Sequence, residues 1–281
     1  MAGETALYYT VQLSDLYVMR NEKSPYEYDM DATYFQRASM LQRSENIGWA
    51  FSYAQSFLED DEDREDSRSK MAWGYLTKDL GESALRLKLD YGRLAGTASY
   101  KVGTTVTEHA INNKYLGVGF HLMHPTGRYY GMEYTHYKIP TWISKDHSKT
   151  QGVFDEDFKL NQLQGVLGYD AVAGGLSDKR FSRYFSGMVG FGLAVAQFSD
   201  EVKRSLNSGG DTLLFSPSMT VEGEFGLAWN VLNRSVKGQL LAGFRVRWHS
   251  NYMGKNSDHG LSYDRMHDFF YGPFVGAALS F

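Results

Sequence analysis

Four charged residues on two neighbouring segments have the spacing of an ion-pair ladder. Glu222 and Glu224 lie on the polar face of the segment 214–230, and Arg245 and Arg247 on that of 235–248. In an antiparallel hairpin, side chains paired across the two strands share a face, so these groups become direct or diagonal neighbours. Such a ladder either selects polar solutes at a narrow passage or pairs buried charges and stiffens a wall.

A second charged series alternates with leucines along the chain. Arg86, Lys88 and Asp90 occupy one face of their segment, and three leucines occupy the other. A strand with these two faces places three charges together on the side away from apolar surroundings. The sequence therefore predicts that this triplet faces the same interior as the ladder.

His249 and Ser250 are the candidates for nucleophilic catalysis. A serine hydroxyl becomes nucleophilic when a histidine takes its proton and a third group orients the imidazole. Adjacent side chains of a regular strand point to opposite faces, so only a bulge or the start of a loop would bring these two together. The alternative interpretation is that His249 and Asn251 lie at a rim where the strand ends.

Composition and spacing argue against other kinds of site. The 281 residues include no cysteine, which excludes disulfides, thiolate metal sites and cysteine nucleophiles. Lys and Arg number 29 against 33 Asp and Glu, a net charge of −4 that gives no basic field for nucleic acid. The acidic run 59–66 lacks calcium-loop spacing, and the histidines lack metal-ligand spacing. We expect no cofactor, no metal site and no nucleic-acid partner.

The elements that carry these residues are predicted to be β-strands. Apolar and polar residues alternate with period two through most of the chain, and long polar connections alternate with short ones at 124–127, 231–235 and 93–96. This pattern predicts an up-and-down meander of about twelve strands, with fourteen as the alternative. No boundary divides residues 1–281, which form one domain. Residues 1–45 hold strands or a short helix or plug.

The two faces of these strands differ in a way that indicates a membrane. The apolar faces carry Leu, Val and Phe with Trp or Tyr near their ends, whereas the polar faces mix charged residues with Gly, Ala and Ser. In lipid every backbone polar group must be paired, so a sheet that spans a membrane must close on itself. The sequence therefore predicts an all-β, closed, antiparallel transmembrane barrel with the polar faces inside.

The last eleven residues, YGPFVGAALSF, resemble the terminal strand of Gram-negative outer-membrane β-barrels. They share an aromatic residue near the start, Tyr271, alternating apolar residues and a terminal Phe281. The resemblance implies residence in the outer membrane, with its lipids and lipopolysaccharide as partners. It also implies that the barrel-assembly machinery reads Tyr271 and Phe281, that Phe281 lies at the periplasmic rim, and that the connections 139–157, 198–212 and 249–267 are extracellular.

Three functions are consistent with such a barrel. The first is a narrow or plugged channel or transporter for small polar or amphipathic solutes, suggested by small residues on three polar faces. These are Gly48, Ala50, Ser52 and Ala54; Gly190, Gly192, Ala194 and Ala196; and Gly272, Gly276, Ala278 and Ser280. The second is a lipid hydrolase similar to outer-membrane phospholipase A or lipid A deacylases, in which His and Ser are two residues apart. The third is a non-catalytic surface barrel that binds a partner through its loops. We favour a protein that is not an enzyme.

Overall fold

The computed structural model describes residues 4–19, 28–29, 33–43, 46–57, 70–102, 105–140, 157–170, 179–197, 213–233, 235–252 and 265–281. Their secondary structure is entirely β, in twelve long strands and one strand of two residues. The strands are β1 (Glu4–Met19), β2 (Tyr28–Asp29), β3 (Thr33–Arg43), β4 (Ile47–Phe57), β5 (Lys70–Asp79), β6 (Ala84–Val102), β7 (Thr105–Met123), β8 (Arg128–Pro140), β9 (Asp157–Asp170), β10 (Phe181–Gln197), β11 (Leu213–Asn233), β12 (Lys237–Tyr252) and β13 (Arg265–Ser280). Among these residues no helix is long and apolar enough to cross a membrane.

The twelve long strands form one closed antiparallel barrel. Each pairs with the long strand that follows it in the chain, and β13 pairs with β1 to complete the ring. At one rim the backbones of Thr5 and Phe281 exchange two hydrogen bonds of 3.0 and 2.9 Å. The predicted closed up-and-down barrel is confirmed. The two-residue β2 pairs only with β1 near its end.

The barrel is apolar outside and polar inside, the reverse of a soluble barrel. Leu167, Phe191 and Phe215 are 68%, 67% and 70% exposed, whereas Gln162 and Asn251 are 2% and 0% exposed. Contacts between non-adjacent strands can form only across the interior, and the polar side chains make them. Exposed apolar residues on a closed sheet match the lipid-facing band of a transmembrane β-barrel.

Several strand boundaries differ from those the sequence predicts. The segment 93–96 is not a turn but part of β6, whose pairing with β7 continues from Ala84 to Val102. Gly96 favours a turn in this segment. Each of its residues nevertheless pairs with a residue of β7, and this pairing keeps the segment extended. The N-terminal region supplies two long strands, β1 and β3, so the total stays at twelve, and the segment around 34–43 is a strand.

Most of the short connections lie at the rim where the chain ends, although the shortest one, between Val102 and Thr105, lies at the other rim. Gly81 and Gly127 occupy tight turns at the rim where the chain ends, with φ of 97° and 88°, a conformation that favours glycine. This end, with Phe281, is here named the short-turn rim. The last connection is shorter than predicted, since β12 continues to Tyr252 and β13 begins at Arg265.

Candidate functional site in the lumen

The predicted ladder forms in the lumen as two direct pairs. The register of β11 and β12 sets Glu222 opposite Arg247 and Glu224 opposite Arg245. Arg247 Nε lies 3.0 Å from Glu222 Oε1, and Arg245 Nη2 lies 2.7 Å from Glu224 Oε2. Each side chain in these pairs is between 18% and 33% exposed. The pairs are therefore partly shielded from water and lie near the middle of their strands.

Glu224 also binds a second arginine from a distant part of the ring. Arg37 Nη1 on β3 donates to Glu224 Oε2 at 3.1 Å, and Tyr184 Oη donates to Oε1 at 3.3 Å. The strands β12, β13 and β1 lie between β11 and β3, so this ion pair reaches across the interior. Arg245 Nη1 extends the set by donating to Gln12 Oε1 at 2.7 Å.

A hydrogen bond between Arg247 and Tyr115 spans the lumen. Arg247 Nη1 donates to Tyr115 Oη at 3.1 Å, and its guanidinium carbon lies 5.0 Å from the centre of the tyrosine ring. Four strands, β8 to β11, separate β7 from β12. We name Arg37, Tyr115, Glu222, Glu224, Arg245 and Arg247 the cross-lumen network. It narrows the lumen near the middle of the strands.

The predicted triplet also faces inward, toward the short-turn rim. Lys88 Nζ lies 2.8 Å from Glu133 Oε2 and 3.3 Å from Asp90 Oδ2. Arg86, only 3% exposed, donates from Nη1 to Asp170 Oδ2 at 3.0 Å. Its guanidinium carbon is 4.5 Å and 4.2 Å from the ring centres of two tyrosines, Tyr75 and Tyr129. These cations are all paired, as in a wall stiffened by internal ion pairs.

His121 lies between Arg86 and Glu133 on the lumen wall near the short-turn rim. Arg86 Nε donates to His121 Nδ1 at 3.1 Å, so the ring proton belongs on Nε2, which lies 2.9 Å from Glu133 Oε1. The histidine therefore accepts a hydrogen bond from the guanidinium, and its Nε2 is close to the carboxylate without a well-aligned hydrogen bond. The sequence analysis missed His121 and Glu133. Neither residue belongs to a charged series on its own strand, and their partners Arg86 and Lys88 lie on β6.

Small lumen residues make room for large side chains that lie along the wall. The predicted positions do face inward, since Ser52, Ala54, Ala194, Ala196, Ala278 and Ser280 are buried. A Cβ added to Gly92 would collide with the Tyr115 ring, and one at Gly168 would collide with Tyr129. At Gly190 it would lie 2.7 Å from Gln164 Oε1. The lumen at these places is crowded rather than open.

His249 and Ser250 do not form a catalytic pair. The ladder between β11, β12 and β13 runs through both residues without a shift, so their side chains point to opposite faces. His249 is 5% exposed and lies in the lumen, where its Nε2 is 2.9 Å from Gln162 Oε1 and its ring stacks on Tyr137 at 4.9 Å. It is thus a lumen residue, and the hydroxyl of Ser250 points away from it.

The two residues predicted as an assembly signal lie on the outer face of β13 and at its end. Phe281 is 58% exposed, and Tyr271 packs beside Phe269 and Phe244 with ring centres 4.9 Å and 6.3 Å away. The acidic run 59–66 lies outside the described residues. Arg37, Tyr115 and Gln162 were also missed, because their partners come from strands far apart in the sequence.

The fold and lumen define a β-barrel of the outer-membrane type. No family model and no curated protein is significantly similar to the chain. Similar solved structures include the β domain of the Bordetella autotransporter BrkA (13% identity, 100% of this chain and 99% of that one, TM-score 0.34). Others are the Pseudomonas putida toluene transporter TodX (10%, 99% and 89%, TM-score 0.31) and OmpT, an outer membrane protein of Vibrio cholerae (12%, 99% and 98%, TM-score 0.30). None of these similarities assigns a residue of this chain.

Proposed function

We propose that the protein resides in the bacterial outer membrane and conducts small polar solutes through a lumen narrowed by the cross-lumen network. The apolar exterior supports the membrane location, because such a surface is stable only in lipid or against another apolar surface. Outer-membrane lipids, lipopolysaccharide and the barrel-assembly machinery are the partners proposed with this location. The observation that carries the conducting role is the bond between Arg247 and Tyr115 across the lumen.

Filling the interior of a barrel with paired charges has a high desolvation cost. Taking ions out of water costs more than packing apolar side chains of the same volume, so a purely structural filling has no need of them. Charges of both signs along a passage can instead replace the hydration shell that a polar solute loses on entering it. Because Arg37 and Tyr115 meet partners from distant strands, movement of one side chain widens the passage without breaking the barrel.

Single-channel recording in planar bilayers tests the proposal. Wild-type protein is expected to give small conductance steps. Arg247→Ala is expected to give larger steps with a shift toward cations, because it removes the bond to Tyr115 and leaves Glu222 without its cation. Arg183→Ala is the matched control, since Arg183 is an exposed residue on the outer face of β10.

The contrary result is the absence of any conductance in both wild type and Arg247→Ala. A shift in gel migration between boiled and unboiled samples shows first that each variant is folded. Folded barrels that never conduct would overturn the channel and favour the non-catalytic surface barrel. Fractionation of cells tests the outer-membrane location separately.

A further inference from the structure

A second lumen cluster is polar but contains no Asp, Glu, Lys or Arg. It lies beyond the cross-lumen network, toward the rim opposite the short-turn rim, where β12 ends and β11 begins. Its members are all amide, hydroxyl or imidazole side chains that are at most 5% exposed: Gln162, Gln164, Ser216, Ser218, Thr220, His249 and Asn251. We name them the neutral cluster.

Most of the neutral cluster is joined by internal hydrogen bonds. Gln162 Nε2 donates to Thr220 Oγ1 at 3.3 Å, and its Oε1 faces His249 Nε2 at 2.9 Å. Gln164 Nε2 donates to Ser218 Oγ at 3.1 Å. These bonds join β9 to β11 and β12 and hold the amides in fixed positions.

Two atoms of the neutral cluster have no hydrogen-bond partner among the residues that the structure describes. They are Asn251 Oδ1 and Ser216 Oγ, on side chains that are 0% and 1% exposed. The ladder pairs Asn251 with Ser218, which is one inward position from Ser216, so the two atoms belong to neighbouring places on the same wall. Buried polar groups are almost always paired in folded proteins. The two unpaired groups on one wall therefore leave hydrogen-bonding capacity for a solute in the lumen.

An aromatic ring lies next to His249, which is another member of the neutral cluster, and a second ring lies beyond it. The ring of Tyr137 stacks on His249 with centres 4.9 Å apart and planes 17° apart, and Tyr115 follows at 5.8 Å. Tyr115 in turn accepts a hydrogen bond from Arg247. The site thus combines amides, hydroxyls and an imidazole, with the ion pair of Arg247 and Glu222 on the side of the cross-lumen network.

We propose that the neutral cluster binds an uncharged polyhydroxylated solute of the sugar class. The inference rests on the proposed channel, whose solute it names. Asn251 Oδ1 accepts hydrogen bonds and cannot donate, so it offers nothing to a carboxylate or phosphate. A cation finds no carboxylate within the cluster. Sugar hydroxyls donate to Oδ1 and either donate to or accept from Ser216.

Calorimetric titration of the detergent-solubilised full chain tests the inference. The probes are glucose, glucuronate and glucosamine, which share a ring and differ in charge. Wild type is expected to bind glucose saturably and the charged sugars at least tenfold more weakly. Asn251→Leu and Ser216→Ala are expected to weaken glucose binding at least tenfold. Asn161→Leu is the matched control, because Asn161 binds the exposed Tyr134 on the other face of β9.

Glucose binding and bilayer conductance together distinguish the proposed sugar site from the proposed channel. Glucose binding that Asn251→Leu abolishes, without conductance in bilayers, supports the site and overturns the channel. Conductance without saturable glucose binding supports the channel and overturns the site. Equal binding by Asn251→Leu, Ser216→Ala and wild type, or equal binding of all three sugars, also overturns the site. Gel migration of unboiled samples confirms that each variant is folded.

Discussion

Glu224 is a single carboxylate that faces two guanidinium groups. Its Oε2 lies 3.1 Å from Arg37 Nη1 and 2.7 Å from Arg245 Nη2. Loss of Glu224 leaves both cations without this partner, whereas loss of Arg245 leaves Glu224 still bound to Arg37. The three side chains therefore differ in how much each one's removal disturbs the others.

We expect Glu224→Ala to lower the free energy of unfolding more than Arg245→Ala does. Breaking a fully buried pair costs about 3–5 kcal/mol. These side chains keep some contact with water, so we expect about 1–3 kcal/mol for Glu224→Ala and less for Arg245→Ala. Urea titration of the refolded barrel in detergent measures both.

The double variant Glu224→Ala, Arg245→Ala is the control for this pair. Its loss should be smaller than the sum of the two single losses, because the second change removes a charge that the first left unpaired. Additive losses, or a larger loss for Arg245→Ala, would contradict the shared carboxylate.

Gly92 controls the position of the Tyr115 ring. A Cβ there would meet the far end of the tyrosine side chain, so Gly92→Ala should displace the ring and break its bond to Arg247. We expect a loss of about 1–3 kcal/mol from overpacking and larger conductance steps. Thermal unfolding and bilayer recording measure the two effects.

A matched glycine shows whether the effect belongs to the ring. Gly165 faces outward on β9, and the nearest atom to an added Cβ is 3.9 Å away, so Gly165→Ala should change stability by about 0.5 kcal/mol or less. In a Tyr115→Ala background the cost of Gly92→Ala should vanish. A cost that persists there would refute the steric explanation.

At the scale of the strand, depth in the membrane governs what the outer face tolerates. Phe225 and Val231 share the outer face of β11 and are 51% and 45% exposed, but Phe225 is near the middle of the strand and Val231 near its end. Arginine on a lipid-facing position costs about 2–4 kcal/mol at the midplane and about 0–1 near the interface. Phe225→Arg should therefore block folding into lipid vesicles far more than Val231→Arg. Equal yields on unboiled gels would argue against a lipid-facing surface.

Strand faces were predictable from sequence, but contacts across the lumen were not. Alternation along 214–230 and 235–248 placed Glu222, Glu224, Arg245 and Arg247 together, since hairpin partners are close in the chain. The partners Arg37 and Tyr115 depend on how the ring closes, and no local pattern encodes that. Residues 1–45 were ambiguous for the same reason, because β1 is held mainly by strands that come later in the chain.

At the scale of the molecule, the barrel has two different ends. The resemblance to outer-membrane barrels puts the short-turn rim, with Phe281, in the periplasm. An epitope inserted after Lys255 should then bind antibody on intact cells, because β12 ends and β13 begins at the opposite rim. An epitope after Ser235, between β11 and β12, should bind only after the outer membrane is permeabilised. Antibody binding on intact cells to the epitope after Ser235, but not to the one after Lys255, would show that the barrel has the opposite orientation.

The ring closure between β1 and β13 has a consequence for how the barrel folds. Every other long-strand pairing joins neighbours in the sequence, but Ala6 pairs with Ser280, so this ladder joins opposite ends of the chain. Contacts of such high sequence separation form slowly, since loop-closure entropy is lost before they stabilise the structure. Hairpins are therefore expected to form first and to merge into an open sheet. The unpaired edges of β1 and β13 are then exposed to aggregation until they meet, which makes their protection the critical step in assembly.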